Sequence, residues 1–263
     1  GSWFLPTALR PHLYAIYAFC RKTDDLGDES DGDRTAALNS WEQRLREHLD
    51  GTPSIYDPVL VAVTNTIHQF DIPRILFYKL IEANRMDQGY VRFESYSDLL
   101  HYCDHSANPV GRMVLATIGI QDYESQSLSD ATCTALQLTN FWQDIGRDFA
   151  MDRIYIPKSD MGCFGYSESD LSRGVVNDQF RSLLEYEINR TFVLFDQGIG
   201  LINRLNGRIR LDIALFTKGG IGILKAIRER DYDVLGLRPT LSKSKKMWLM
   251  IATSCRLAIL GKP

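Results

Sequence analysis

The sequence carries almost no net charge. Its 30 Lys and Arg residues stand against 33 Asp and Glu, leaving −3, which excludes the basic surface of a general nucleic-acid binder. It has no CxxC pair. Five widely spaced cysteines, Cys20, Cys103, Cys133, Cys163 and Cys255, read as free thiols of a reducing compartment, each a small buried hydrophobe. No apolar run reaches the roughly 20 residues that a helix needs to cross a bilayer. The best stretch, Met247 to Cys255, ends at Arg256 and follows Lys243, Lys245 and Lys246, with Trp248 beyond them. That composition suits peripheral contact with a membrane surface, but an ordinary C-terminal helix with a solvated basic end is the favoured reading. No signal peptide is visible. The chain opens on Gly1-Ser2 without Met, as a trimmed native start or an expression scar would. The expected location is cytoplasmic, with the inner face of the membrane as the candidate for peripheral contact.

Alternating β-patterns are scarce, and repeats, low-complexity tracts and linkers do not stand out. What is present is helical. The 263 residues are 44% hydrophobic and 24% charged, enough to bury a substantial core. One helical pattern runs from about Thr7 through Glu29. After an Asp31-Gly32-Asp33 turn, Asp33 caps a second up to Asp50, where Gly51 stops it. Asp57-Pro58 and Asp71-Ile72-Pro73 each read as a cap with Pro near the first helical turn. Ser97 is a candidate cap for Leu99 to Asp104. A long helix spans Ser129 to about Ala150, and Ile154 to Ser172 reads as irregular with a Ser167/Asp170 capping box. Helices over 178–206, 209–217 and 221–230 follow, with a last one after Pro239. The expectation is one all-α domain over residues 1–263.

Two acidic clusters stand out. In Arg21-Lys22-Thr23-Asp24-Asp25-Leu26-Gly27-Asp28, the pair Asp24 and Asp28 shares a helix face about 6 Å apart along the axis. Arg21, Tyr17 and Tyr14 continue that face upstream. In the second, Gln137, Asn140, Asp144 and Asp148 follow a 3-4-4 spacing and form one polar stripe on an otherwise largely apolar helix. Like carboxylates at i and i+4 repel, and a hard divalent cation removes the repulsion. Magnesium takes one or two carboxylates and fills its remaining positions with water and phosphate oxygens. Two such helices facing one another would bracket a metal-bound diphosphate and stabilise the charge that grows as its C–O bond breaks. An apolar remainder of the cavity would shield a carbocation and hold isoprenoid tails. The competing reading, that each cluster is merely a solvated acidic face, weakens when both occur together.

Tyr14 to Glu29 resembles the first aspartate-rich motif of the squalene/phytoene synthase family, and Gln137 to Pro157 resembles its second. The likeness covers nearly the whole chain. It implies an all-α isoprenoid synthase fold with a central cavity. It implies that Asp24, Asp28, Asp144 and Asp148 are catalytic magnesium ligands, with Asn140 in support. Arg21 would bind diphosphate, Tyr17 would line the reaction chamber, and Arg153 and Tyr155 would steady the diphosphate or cation. Gln137 joins the substrate-binding set, and Arg238 is matched to a diphosphate-contacting arginine near the C-terminus. Many family members carry Arg where this chain has Gln143, and often Glu where it has Arg147. Ser106 to Arg112 also departs from the family's glycine-rich segment.

These departures resemble the bacterial hydroxysqualene synthase branch of hopanoid pathways. Its reaction converts presqualene diphosphate to hydroxysqualene, between an enzyme making presqualene diphosphate and one reducing hydroxysqualene. Asn108 and Gln143 are then candidates to position the quenching water. The alternatives are head-to-head condensation of two farnesyl diphosphates, giving presqualene diphosphate, squalene or dehydrosqualene; condensation of two geranylgeranyl diphosphates to phytoene; and a non-catalytic scaffold. The scaffold has no reason to keep facing like charges. His101 and His105 have a zinc spacing but no convincing third ligand. Gly219-Gly220-Ile221-Gly222 lacks the flanking strand of a dinucleotide fingerprint and reads as a helix junction.

Overall fold

The computed structural model describes residues 7–29 and 32–260, without the side chains of Lys243, Lys245, Lys246 and 255–260. Expectations about Gly1-Ser2, Asp31, Cys255 and those lysine side chains lie outside the described residues. The architecture is all-α, as expected. Its contacts divide into two compact units, with boundaries inside two helices.

The first unit holds residues 1–90 and 102–126. Its helices are α1 (Arg10–Asp28), α2 (Arg34–Leu49), α3 (Pro58–Phe70), α4 (Ile75–Met86), the end of α5 (Tyr96–Ser106) and α6 (Asn108–Thr117). Asp33 caps α2 by accepting from the Ala36 amide, and Asp57 caps α3 by accepting from Val59 and Leu60. Asp71 does not cap α4. It closes α3 in the left-handed region at φ 49°, and α4 starts at Ile75 with no side-chain cap. The core gathers around Phe19, which stacks on Trp41 at 5.5 Å and meets Phe77 edge-on at 5.2 Å. Leu38, Leu45, Val63, Ile81 and Met113 close around them, all fully buried or nearly so.

The second unit holds residues 91–101 and 127–263. It is organised on α7 (Tyr123–Ala150), α10 (Asp178–Gly198), α11 (Gly200–Arg204), α12 (Gly207–Glu229) and α13 (Lys243–Leu260). Two short strands, β1 (Val91–Arg92) and β2 (Arg153–Ile154), pair in parallel. After β2 come α8 (Lys158–Cys163) and α9 (Glu168–Ser172). The Ser167/Asp170 capping box is present on α9. A second box precedes α5: Ser95 and Asp98 bond each other's amides at 2.9 and 3.3 Å, so Ser95 fills the role that the sequence suggested for Ser97.

Two glycine positions overturn sequence expectations. Gly219 and Gly220 lie inside a continuous α12 and mark no junction. A Cβ on Gly220 would stand 2.5 Å from Phe195 Cζ and 2.9 Å from Leu136 Cδ2, so the missing side chain lets α12 pack tightly on both residues. Conversely, the stretch expected as one helix over 178–206 changes course at Ile199, between α10 and α11. Of the four described cysteines all are free. Cys103 is buried, but Cys163 is exposed and is not the buried hydrophobe expected of it.

Candidate active site

On α1 the sequence divides cleanly by face. Ala15, Ile16, Phe19, Thr23 and Gly27 are buried. Tyr14, Tyr17, Arg21, Asp24 and Asp28 are exposed, so the polar face read from the spacing exists. Behind Asp24, Thr23 Oγ1 donates to the Phe19 carbonyl at 2.8 Å and accepts from Trp41 Nε1 at 2.9 Å. Asn84 on α4 donates to Asp24 Oδ1 at 3.3 Å. That approach depends on Gly27, whose Cβ would stand 2.5 Å from Asn84 Oδ1. Arg21 pairs with Asp25 at 2.7 Å and with Glu29 at 3.4 Å rather than with Asp24.

Desolvation by the surrounding protein pushes the Asp24 carboxyl above the usual range. The Asn84 hydrogen bond opposes this, the charge of Asp28 adds to it, and Arg21 offsets part of it. Asp24 and Asp28 thus place two carboxylates on one face of α1. Carboxylate oxygens are the donors that magnesium prefers, so the pair could hold such a cation.

On α7 the 3-4-4 stripe is equally real. Leu138, Thr139, Phe141, Trp142, Gln143 and Ile145 are buried, while Asn140 is exposed and Gln137, Asp144 and Asp148 are half-buried. Trp142 Nε1 donates to Thr191 Oγ1 on α10 at 2.9 Å, which fixes the rotation of α7 about its axis. The Asp144 carboxylate already holds a cation. Arg238 Nε and Nη2 donate to its two oxygens at 2.5 and 2.7 Å, and Nη2 also reaches Gln143 Oε1 at 3.0 Å. The pairing raises the Arg238 guanidinium above its ordinary range, chiefly through the hydrogen bonds to Asp144.

Gln143 is only 4% exposed. Its Nε2 donates to the Pro239 carbonyl at 2.5 Å. Each end of this amide is thus bonded by the chain itself, and its burial leaves Gln143 little surface for substrate or water. Asn108 is also buried, at the start of α6, so it too presents little surface to a ligand.

Just past α7 the chain turns at Asp152, in the left-handed region at φ 59°. Arg92, its side chain 5% exposed, braces that turn. It donates to the Asp152 carbonyl at 2.6 Å, to Asp152 Oδ1 at 2.9 Å and to Glu168 at 3.0 Å. The turn delivers Arg153 and Tyr155 to a small cavity of about 10 Å³, lined also by Phe141, Ile145 and Asp148. That is room for a single water molecule. The Tyr155 ring lies flat on Phe141 at 3.8 Å, with the Phe93 ring at 5.8 Å. Tyr155 is buried, so its ring presents little surface to a cation.

The family model for squalene/phytoene synthase matches residues 1–245. The chain belongs to the squalene/phytoene synthase family. Among curated relatives, 15-cis-phytoene synthase of Synechococcus elongatus is 31% identical over 99% of this chain and 88% of its own length. The 15-cis-phytoene synthase of Synechocystis is 33% identical over 94% and 77%. Among solved structures, squalene synthase HpnC from Alicyclobacillus acidocaldarius superposes with a TM-score of 0.85 at 44% identity, covering 88% of each chain. A dehydrosqualene synthase in complex with ligand superposes with a TM-score of 0.86 at 26% identity, over 97% of this chain and 89% of that one. The helices are those of the isoprenoid synthase fold of this family.

Within the squalene/phytoene synthase frame, sequence reasoning overlooked Asn84, Arg92 and the double use of Gln143. Asn84 and Arg92 each lie 60 residues from the partner they hold, and no local pattern announces such a pair. Among the described residues no cluster of three His, Cys, Asp or Glu side chains forms a self-sufficient metal cage, and His101 and His105 acquire no third ligand. Also among them, no helix is long and apolar enough to cross a membrane. Met247, Trp248 and Ile251 are exposed on α13.

Proposed function

We propose that this family member is a magnesium-dependent hydroxysqualene synthase acting on presqualene diphosphate. The 44% identity to squalene synthase HpnC over 88% of the chain, above the 31 and 33% shared with the phytoene synthases, favours a squalene-type reaction over phytoene formation. The hydroxysqualene outcome rests on the sequence resemblance. The departures at Gln143, Arg147 and Asn108-Pro109 point the same way. The reading places the protein in isoprenoid biosynthesis, with an isoprenoid diphosphate as substrate. Its neighbours in the pathway would be one enzyme that makes presqualene diphosphate and another that reduces hydroxysqualene.

Asp24 and Asp28 on α1, and Asp144 and Asp148 with Asn140 on α7, would hold magnesium. Bound there, the metal supplies charge neutralisation to the departing diphosphate. The chain's own groups do the rest. Arg21 can exchange its exposed partner Glu29 for a diphosphate oxygen at little cost, because exposed ion pairs contribute only about 0–1 kcal/mol. Arg238, on Asp144, and Arg153, beside Asp148, add cationic hydrogen-bond donors. Heterolysis leaves the bonding pair on diphosphate, the cyclopropylcarbinyl cation rearranges, and water adds and sheds a proton.

The deciding experiment incubates purified protein and magnesium with presqualene diphosphate or farnesyl diphosphate, each with and without NADPH, and identifies products by gas chromatography and mass spectrometry. Hydroxysqualene from presqualene diphosphate without NADPH, and nothing from farnesyl diphosphate, is the expected result. Any product from farnesyl diphosphate would move the chain to the condensing branch.

A further inference from the structure

Resting on that reading, we propose that Arg238 is a built-in counter-cation for Asp144, held in place by Gln143, and that magnesium must displace it to load the second cluster. The geometry is specific. Arg238 uses two N–H donors on the two oxygens of one carboxylate, at 2.5 and 2.7 Å. A cation seeking Asp144 therefore meets the Arg238 charge at both oxygens, with Arg147 Nη1 also 3.8 Å from Oδ1, and competes with them for the remaining lone pairs.

Gln143 makes this arrangement through its two unlike ends. Its Oε1 accepts from Arg238 Nη2 at 3.0 Å, and its Nε2 donates to the carbonyl of the next residue, Pro239, at 2.5 Å. Arginine, which many family members carry here, has no acceptor and would set a second positive charge against Arg238. Only a neutral amide grips both residue 238 and residue 239. The segment is seated a second time at Gly146, where a Cβ would stand 3.3 Å from the Leu235 carbonyl oxygen. Leu241, largely buried, anchors its far end against Gly222 of α12. Arg238 is thus fixed at Asp144 from both sides.

Two consequences follow. Before ligand arrives, the stripe on α7 is neutralised at Asp144 without any metal. When magnesium and diphosphate load, Arg238 gives up at least one carboxylate oxygen, and Gln143 keeps the freed N–H groups beside the incoming anion. Gln143 is then a positioning residue, acting through Arg238 and not on substrate.

The test follows thermal stabilisation of the whole chain by magnesium chloride, alone and with inorganic pyrophosphate. It compares wild type with Arg238→Gln, Arg238→Lys, Gln143→Met and the Arg238→Gln/Gln143→Met double variant. Ligands that bind only the folded state raise the melting temperature. With Asp144 left only with the longer, 3.8 Å approach of Arg147, Arg238→Gln should respond to magnesium alone at about fivefold lower concentration than wild type, and should lose part of the added pyrophosphate response. Gln143→Met should shift in the same direction by less, and the double variant should match Arg238→Gln. Arg238→Lys, which keeps the charge but not the fork, should fall between. A purely structural role would lower every melting temperature and leave the half-saturating magnesium where it was. If wild type responds to magnesium with pyrophosphate but the Arg238 variants show its unaltered magnesium sensitivity, the counter-cation is wrong and the magnesium site stands. If wild type does not respond at all, both fall.

Discussion

Glu187 on α10 offers the sharpest physical prediction. It is fully buried, and its carboxyl is in contact with the Arg190 guanidinium, whose Nη2 is shared with Asp160 at 2.7 Å. The Arg190 guanidinium lies over the rings of Tyr96, at 3.5 Å, and Tyr186, at 5.0 Å, so its place is fixed on several sides. Burial pushes the Glu187 carboxyl from 4.5 up to about 8; Arg190 pulls the other way and Asp160 adds to the rise. The folded chain therefore keeps a proton that the unfolded chain releases above about 4.5. The resulting stability is fully present below that pH, shrinks through the range 4.5 to 8, and is gone above it. A rise of this size corresponds to at most about 5 kcal/mol, at about 1.4 kcal/mol per pH unit. Glu187→Gln copies the neutral acid in shape and hydrogen bonding, and Arg190 retains Asp160. Urea unfolding from pH 5 to 8.5 should show wild type losing stability with rising pH. The variant should match it near pH 5 and exceed it by a few kcal/mol at pH 8. A variant with the wild-type slope, or one less stable than wild type at pH 8, would refute a neutral buried Glu187.

The other expectations concern the site and its supports. Asp24→Ala and Asp144→Ala should each cut turnover by at least about 10²–10³-fold, the scale of losing one stabiliser of developing charge, with unchanged helical circular dichroism; full activity in either would sink the metal assignment. Gly219→Ala meets nothing within 4 Å and should stabilise by about 0.5–1 kcal/mol through helix propensity. Gly220→Ala, pressed against Phe195, should destabilise by about 1–3 kcal/mol, so equal melting temperatures for the pair would count against the packing described. Thr23→Val orphans the buried Trp41 indole N–H and should cost about 1–3 kcal/mol, read by chemical denaturation.

Local signals were legible in the sequence and distant ones were not. Asp33, Asp57 and the Ser167/Asp170 box cap helices through partners two or three residues away, and each was readable from spacing. The stripe of Gln137, Asn140, Asp144 and Asp148 was readable for the same reason. Gln143 reads as a site residue because it adjoins Asp144 in sequence, and its structural partners are not visible there. A helix turns about 100° per residue, which carries position 143 off the stripe and into the packed flank of α7. Its partners, Arg238 and Pro239, lie more than 90 residues downstream. Gly219 and Gly220 look like a break by propensity, yet α12 runs through them because close packing on Phe195 outweighs about 1 kcal/mol of propensity per glycine. Tyr155 was expected beside the second cluster and is there, but neither its stack on Phe141 nor its contact with Phe93 could be read from one strand's sequence.

Both acidic clusters are held from behind by the same kind of bond, and magnitudes explain why. Repulsion between carboxylates at i and i+4 amounts to about 0.2–0.5 kcal/mol on an exposed helix. A buried hydrogen bond contributes about 0.5–1.5 kcal/mol net and costs more if one partner is left alone. Thr23, which takes the Trp41 indole N–H, is the residue before Asp24. Trp142, which gives its own indole N–H to Thr191, lies two residues before Asp144. In each case one buried bond, with a large ring packed around it, is worth more than the repulsion within the acidic pair. The carboxylates can therefore stay presented as a pair before any metal arrives. The helices differ in how they treat the remaining charge. Asp24 has Asn84 as a neutral donor and keeps a raised affinity for its proton, whereas Asp144 has the full cation of Arg238. If Arg238 yields to magnesium as proposed, the first cluster should load at lower magnesium than the second. Wild type should then bind magnesium in two steps, and Arg238→Gln should draw them together.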